Sequence, residues 1–283
     1  LDLCCGQGRH CLELSRRGFR QVEGVDRSHY LIQRAKAQAK KEGLRVRFRE
    51  GDARKIPCPA DSFNAVMMLG NSFGYFETVQ DDLRVLKEVF RVMQPGGKLL
   101  IDIADGDYLR GHFQARSWEW IDKRMFVCRE RSLSADGDRL ISREVITHVE
   151  KGVIEDQFYA ERLYSLEKLI ELVKGAGFQD FSMHGEIASV TGRNQDLGMM
   201  EHRNIITASV KKEWTPVRRR PKELQKTVAV IMGDPTLSDI IKPQAVFDED
   251  DFYTIDQLTQ ALNQIKGYRF LYLKNHANLI EEL

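Results

Sequence analysis

The chain has 283 residues, with 43 basic and 42 acidic side chains and a formal net charge of +1, so it carries no field that would draw it to nucleic acid or to an anionic membrane. An apolar share of 42% is enough for a packed core in one large domain plus a smaller one, and no apolar run approaches the ~20 residues of a membrane span. The five cysteines, Cys4, Cys5, Cys11, Cys58 and Cys128, are odd in number and lack zinc-ligand spacing, which points to free thiols in a reducing cytoplasm and to no structural metal.

The chain opens on Leu1, directly at a strand and without a signal peptide, and reads as a fragment of a longer protein. Residues 1–4 form a short apolar run with one carboxylate, the end of a buried parallel strand, and Gly6 and Gly8 then turn tightly into a helix over 9–17, capped by Gly18. A glycine lets the backbone take a positive φ and lets a ligand lie against it, while the helix start aims free N–H groups at the same spot. This is the pattern of a nucleotide-cofactor cradle. A second strand over 22–25 ends in Asp26, roughly 20 residues beyond the glycines, where a carboxylate can accept hydrogen bonds from two ribose hydroxyls. Ser28 caps a second helix with Ile32, Ala35 and Ala39 on one face and Gly43 at its end. The third strand, 44–49, alternates Leu44, Val46 and Phe48 inward with Arg45, Arg47 and Arg49 on a solvated face. Gly51-Asp52-Ala53 follows, a carboxylate and backbone pair placed to meet an adenine edge.

A fourth strand over 64–69 leads into Gly70-Asn71-Ser72-Phe73, at the edge where open α/β sheets put their ligands. A helix over 78–93, with Leu83, Leu86, Phe90 and Met93 as its buried stripe, is stopped by Pro95-Gly96-Gly97 and followed by a fifth strand over 98–104. From 108 to 164 the period changes from 3.6 to 2, with runs at 126–133, 140–149 and toward Tyr164 divided by turns at 135–137 and 151–152, an antiparallel insertion. Ser165 then caps a helix with Leu166, Leu169, Leu172 and Val173 inward, and strands at 178–184 and 204–210 complete a sheet of seven. Residues 212–225 read as a linker whose Arg218-Arg219-Arg220 is solvated charge. Beyond it come a strand over 227–232, a helix over 254–266 opened by Thr254 and Gln257, and a strand over 268–273.

Five ordered motifs resemble the class I S-adenosylmethionine-dependent methyltransferases: Asp2-Leu3-Cys4-Cys5-Gly6-Gln7-Gly8, Gly24-Val25-Asp26, Gly51-Asp52-Ala53, Leu69-Gly70-Asn71-Ser72-Phe73-Gly74, and Val92-Met93-Gln94-Pro95-Gly96-Gly97-Lys98-Leu99. The resemblance covers residues 1–211. It implies an α/β, Rossmann-like seven-stranded sheet with an antiparallel β insertion after strand five, and S-adenosyl-L-methionine as cofactor. By the same resemblance, Gly6 and Gly8 approach the cofactor's amino acid end, Asp2 orients its ammonium, Asp26 with Arg27 meets the ribose, Asp52 and Ala53 meet the adenine, and Leu69, Gly70 and Asn71 line the reacting methyl. Cys4 stands at the family's usual first glycine, for which the expectation is a minor adjustment and retained binding. Cys11 occupies the place of a dinucleotide fold's third glycine, which sets a nicotinamide-dependent oxidoreductase behind the methyltransferase reading. In this family, insertions after strand five commonly cover the methyl-acceptor pocket. Residues 226–283 are similar to the N-terminal lobe of D-alanine D-alanine ligase-like ATP-grasp enzymes, through 228–233 and 268–273, and form a partial second α/β domain.

Methyl transfer from a sulfonium is an in-line displacement, so the protein's tasks are to hold the cofactor, orient an acceptor lone pair and exclude water. Asn71, Tyr75, His112 and Tyr159 are candidates to orient or deprotonate an acceptor, and none is singled out as a base. The loop at Asn71 is not the Asn/Asp-Pro-Pro-aromatic signature of nucleobase amino methylation. His10, just inside a helix start, has its protonated form disfavoured and takes a structural role. The expectation is an S-adenosylmethionine-dependent methyltransferase acting on a small molecule, without a nucleic-acid or membrane partner, fused to the start of a ligase-like module. The alternative is a non-catalytic cofactor-binding or regulatory domain serving that module.

Overall fold

The computed structural model describes residues 1–185 and 202–215, together with the backbone of two strands at 229–232 and 245–248. The elements run β1 (Asp2–Leu3), α1 (Arg9–Arg16), β2 (Val22–Asp26), α2 (His29–Glu42), β3 (Val46–Glu50), a 3-10 turn (Ala53–Lys55), β4 (Phe63–Met68), α3 (Val79–Val92) and β5 (Met93–Ala104). They continue with α4 (Gly106–His112), β6 (Arg116–Trp120), β7 (Met125–Leu133), β8 (Arg139–His148), β9 (Gly152–Arg162), α5 (Leu166–Gly175), β10 (Phe178–His184), β11 (Arg203–Val210), β12 (Ala229–Met232) and β13 (Ala245–Asp248).

A seven-stranded sheet has the order β10-β11-β5-β4-β1-β2-β3. β1 pairs in parallel with both β2 and β4, and β2 with β3, while β11 runs antiparallel to β5 and β10. This is the mixed, mostly parallel sheet of the class I methyltransferase fold. Strand order reverses between β1 and β4, so the loops leaving these two strands diverge to opposite faces and open a crevice at their carboxyl ends. On one face of the sheet Leu12, Ile32, Ala35, Ala39, Cys11 and Phe48 form a buried cluster. Each large apolar side chain in it contributes about 1.5 to 3 kcal/mol. Ser28 caps α2 by accepting from Leu31 N–H at 3.3 Å, and Gly43 closes that helix in the left-handed conformation.

Two departures from the sequence expectation change what surrounds the crevice. The inward stripe of α3 is Asp82, Val85, Leu86 and Val89, with Leu83 and Phe90 only half-buried. Asp82 is fully buried because Arg162 donates from Nε at 3.1 Å and the Tyr164 hydroxyl donates at 2.7 Å. Arg49 is not part of a solvated face either, since it pairs with the buried carboxylate of Glu23 on the neighbouring strand.

The insertion is a four-stranded antiparallel meander in the order β6-β7-β8-β9. Its first strand and the short helix α4, both absent from the sequence reading, precede the three expected strands. Alternation gives the meander two unlike faces. One carries Ser117, Val127, Arg131, Leu140, Ser142 and Glu161, all buried, and on it Arg129 bridges Glu119 at 3.2 Å and Glu144 at 2.6 Å. The opposite face exposes Trp118 and Phe158.

The chain divides into two compact units, one of Leu1–Pro57, Ala65–Phe90 and Gly96–Lys211, the other of Cys58–Asn64, Arg91–Pro95 and Lys212–Leu283. The meander belongs to the first. Within the second, Lys212 pairs with Asp61 at 2.6 Å and Thr215 N–H donates to the same carboxylate at 2.5 Å, so the start of the expected linker is tethered. There β12 pairs in parallel with β13, a strand the sequence reading did not include. The expected helix over 254–266, the strand over 268–273 and the arginine run at 218–220 lie outside the described residues.

Candidate active site

Three successive strand ends meet at Asp26. Its Oδ2 accepts from Gly6 N–H at 2.8 Å, its Oδ1 accepts from Ser28 N–H at 2.8 Å, and its carbonyl accepts from Gly51 N–H at 3.0 Å. The turn after β1, the start of α2 and the turn after β3 are thereby tied into one rim. The parallel register explains the meeting, because Leu3 lies opposite Val25, and Asp26 opposite Glu50.

The two glycines of the first turn serve different purposes. Gly6 has φ +55°, and a Cβ there would point into open space, so its bare backbone faces outward as a surface for a ligand. Gly8 has φ +76°, and a Cβ there would stand 2.5 Å from Cζ of Phe48. Its smallness lets α1 close against β3. Between them and the strand, Cys4 takes φ +60°, a left-handed conformation normally left to glycine. Burial together with the Asp26 carboxylate pushes its thiol up to about 12. Asp2 is buried, its Oδ2 lying 3.5 Å from Cys11 Sγ and 3.7 Å from His10 Nδ1.

Asp52 caps the 3-10 turn, accepting from Arg54 N–H at 2.8 Å, and the Arg54 guanidinium grips the same carboxylate at 2.7 Å. Arg54 therefore holds the Asp52 carboxyl below its ordinary range. The guanidinium also stacks over Phe76 at 4.5 Å and reaches Asp81 at 3.5 Å, which links the loop after β3 to the loop after β4. Ala53 is buried behind it, whereas Arg27 is exposed.

The loop after β4 is clamped from both sides. Gly70 N–H donates to Asp102 Oδ2 at 3.2 Å, and Asn71 N–H to the Asp102 carbonyl at 3.1 Å. Asn71 itself takes φ +59° and is buried; its Oδ1 accepts from Ala104 N–H at 3.0 Å, and its Nδ2 reaches the Tyr75 hydroxyl at 3.3 Å and the Glu161 carboxylate. The Asn71 amide is thus a positioning group, fully committed to its neighbours. The meander supplies the other side of the clamp. Arg162 N–H donates to the Gly74 carbonyl at 2.8 Å, Arg139 donates to the carbonyls of Phe76 and Glu77, and Tyr164 stacks on Phe73 with centroids 5.7 Å apart. Leu69 is half-buried at the start of this loop. Burial and the carboxylate of Glu161 push the Tyr75 phenol well above its ordinary value, and burial with Glu144 raises Tyr159. His112 lies elsewhere, at the last turn of α4, with Nδ1 2.9 Å from the Tyr108 carbonyl and its ring stacked on that tyrosine.

An adenosyl sulfonium fits these groups. Asp26 uses one lone pair on each oxygen for the rim and keeps a second on each, Gly6 leaves open space at its Cα, and Ser72 Oγ is buried with no hydrogen-bond partner. Sequence reasoning missed Glu161, Asp82 and Asp102; only the Tyr159-x-Glu161 alternation on β9 carried a signal, and it does not reveal which face of the strand is covered. Among the described residues no three His, Cys, Asp or Glu side chains gather as a metal site, and no helix is long and apolar enough to cross a membrane.

Residues 1–97 match the family described as methyltransferase domain. YqeM of Bacillus subtilis, provisionally named a methyltransferase, is 29% identical over 189 residues, which cover 63% of this chain and 72% of that protein. The demethylmenaquinone methyltransferase of Lactococcus lactis is 38% identical over 104 residues, 35% of this chain and 39% of the relative. Among solved structures, an S-adenosylmethionine-dependent methyltransferase from Clostridium acetobutylicum superposes with a TM-score of 0.59 at 18% identity, over 75% of this chain and 83% of that one. Residues 1–97 thus match a methyltransferase domain, within a chain that has the class I methyltransferase fold.

Proposed function

We propose that the first unit binds S-adenosylmethionine along the rim formed by Gly6, Asp26 and Asp52 and methylates a small molecule held between the loop after β4 and the polar face of the meander. The observation that carries the reading is Asp26, whose carboxylate and carbonyl join three loops beside the strand-order reversal. In this reading Asp26 and Arg27 meet the ribose, Asp52 and Ala53 the adenine, and Asp2 with the backbone of Cys4 and Gly6 the amino acid end. Leu69, Gly70 and Asn71 border the methyl. When bound, the cofactor supplies an activated methyl on sulfur. The chain's own contribution is to fix the acceptor in line and to keep water out, which the Arg139 and Arg162 clamps on residues 74–77 accomplish by sealing the loop against the meander.

The five cysteines are free thiols, in keeping with a cytoplasmic location. Residues 226–283 we read as the start of a ligase-like α/β module, for which the parallel pairing of β12 with β13 is the support. Calorimetric titration with S-adenosylmethionine and S-adenosylhomocysteine tests the central claim. Saturable binding is expected, and a folded protein that takes up neither at millimolar ligand would refute it.

A further inference from the structure

We propose that the outer face of the meander is a docking surface for a second copy of this chain, packed sheet on sheet about a two-fold axis that runs along the strands between β7 and β8. The candidate active site borders the opposite face of the meander and is left open.

Alternation along the strands puts Trp118 and Trp120 of β6, Glu130 of β7, Arg143 of β8, and Val153 and Phe158 of β9 on this face. Trp118, Trp120, Val153 and Phe158 are 61%, 53%, 62% and 70% exposed. Large apolar side chains grouped on one exposed face mark an interaction surface. Four charged side chains stand among them, and all are paired: Arg116 with Glu130 at 3.3 Å, and Arg143 with Asp156 at 2.6 Å and with Glu130 at 3.9 Å. Two positive and two negative charges cancel. The face therefore presents no net field to a nucleic acid, an anionic membrane or a charged peptide, and none that repels its own copy.

The register makes the face complementary to itself. Arg116, Glu130, Arg143 and Phe158 stand level across the four strands, and nearer the other end so do Trp120, Phe126, Thr147 and Val153. A two-fold axis along the centre of the meander lays β7 over the partner's β8, and β6 over the partner's β9. It sets Glu130 against the partner's Arg143 and Arg143 against the partner's Glu130, which extends the ion pairs into a network across the interface. Arg116 meets the ring of the partner's Phe158, a cation–π contact of the kind Arg143 makes with Phe158 at 5.5 Å. Trp120 meets the partner's Val153. With 10 residues in β8, about 3.4 Å per residue and about 4.8 Å between strands, the face measures roughly 500 Å² in projection, so two copies bury the roughly 1,000 Å² that a specific interface needs. Aligned sheets pack about 10 Å apart, within reach of facing side chains.

The test uses the full chain. Sedimentation velocity from about 1 to 200 μM should show a dimer that dissociates on dilution, because an interface of this area and polarity holds with about micromolar affinity. Trp118→Glu changes an exposed side chain and sets a carboxylate against the partner's Asp156; it should give a monomer over the whole range with an unchanged circular dichroism spectrum. Glu130→Arg alone sets arginine against arginine and Arg143→Glu alone sets glutamate against glutamate, so each should weaken self-association by about tenfold or more. Mixed in equal amounts, the two variants should form a heterodimer, because the arginines of one then face the glutamates of the other. Pairing within a single chain cannot produce that rescue. Cys128 stands beside Trp118 and is exposed in one copy, so iodoacetamide should label it in dilute protein and more slowly once the dimer forms. A parent that stays monomeric throughout, a dimeric Trp118→Glu protein, folded charge variants that stay monomeric when mixed, or Cys128 labelling independent of concentration would overturn the proposal.

Discussion

Removing the Asp26 carboxylate is the sharpest perturbation of the proposed cofactor site. Each of its oxygens already accepts one backbone N–H, from Gly6 and Ser28, both at 2.8 Å, and each retains a lone pair for one ribose hydroxyl. A hydrogen bond to a charged group contributes about 1.5 kcal/mol or more, so losing two costs about 3 kcal/mol of binding, roughly 150-fold in Kd. Releasing Gly6 adds to this, since the turn must then be ordered by the ligand. Asp26→Asn presents an N–H where an acceptor is needed and keeps the other oxygen, so about half the loss, near tenfold, is expected. Isothermal titration with S-adenosylhomocysteine reads both values, and circular dichroism confirms that the variants are folded. An Asp26→Ala protein whose Kd stays within about threefold of the parent would show that this rim does not hold a ribose.

Three further outcomes follow from the same turn and from the cysteines. Cys4→Gly relieves a left-handed side chain, a gain of about 1 to 2 kcal/mol, and loosens the unfolded chain by about 0.5 to 1 kcal/mol; thermal melting should therefore show a small net stabilisation with S-adenosylhomocysteine binding retained. Gly8→Ala places a Cβ against the Phe48 ring at positive φ and should cost about 3 kcal/mol in urea unfolding, where a loss below about 1 kcal/mol would contradict the packing role. Iodoacetamide at pH 8 should label the exposed Cys128 and spare Cys4, whose thiol is pushed up to about 12 and so stays protonated and unreactive in the folded protein; peptide mass spectrometry reads the order.

Much of the fold was legible because its signals are local. Ser28 and Gly43 bracket α2 by capping chemistry that needs no tertiary partner, and the strand-end position of Asp26 follows from the apolar run before it. Local signals also misled in particular places. Apolar spacing put Leu83 on the buried stripe of α3, yet Asp82 takes the inward position because Arg162 and Tyr164, about eighty residues later, neutralise and bond it. The same limit applies to β6, whose alternating Arg116, Trp118 and Trp120 gain strand character only by pairing with β7. At Gly8 the sequence shows a turn glycine, but only the position of Phe48 on β3 shows that a side chain there would also clash with the core.

The two halves of the site differ in legibility for one physical reason. The cofactor rim is made by backbone groups at the ends of neighbouring parallel strands, and a parallel register fixes those groups in space once the strands are known: Gly6, Asp26 and Gly51 meet because β1, β2 and β3 are adjacent. The proposed acceptor side is made by side chains. Asn71 and Glu161 are 90 residues apart in sequence, and their meeting depends on how the meander packs against the loop after β4 through Arg139, Arg162 and Tyr164. No periodicity encodes that packing, because β9 alternates in the same way whichever face is covered. The rim therefore follows from motifs shared across a large fold class. In the proposed reading the acceptor is selected by residues of the meander, which the family match over residues 1–97 does not reach.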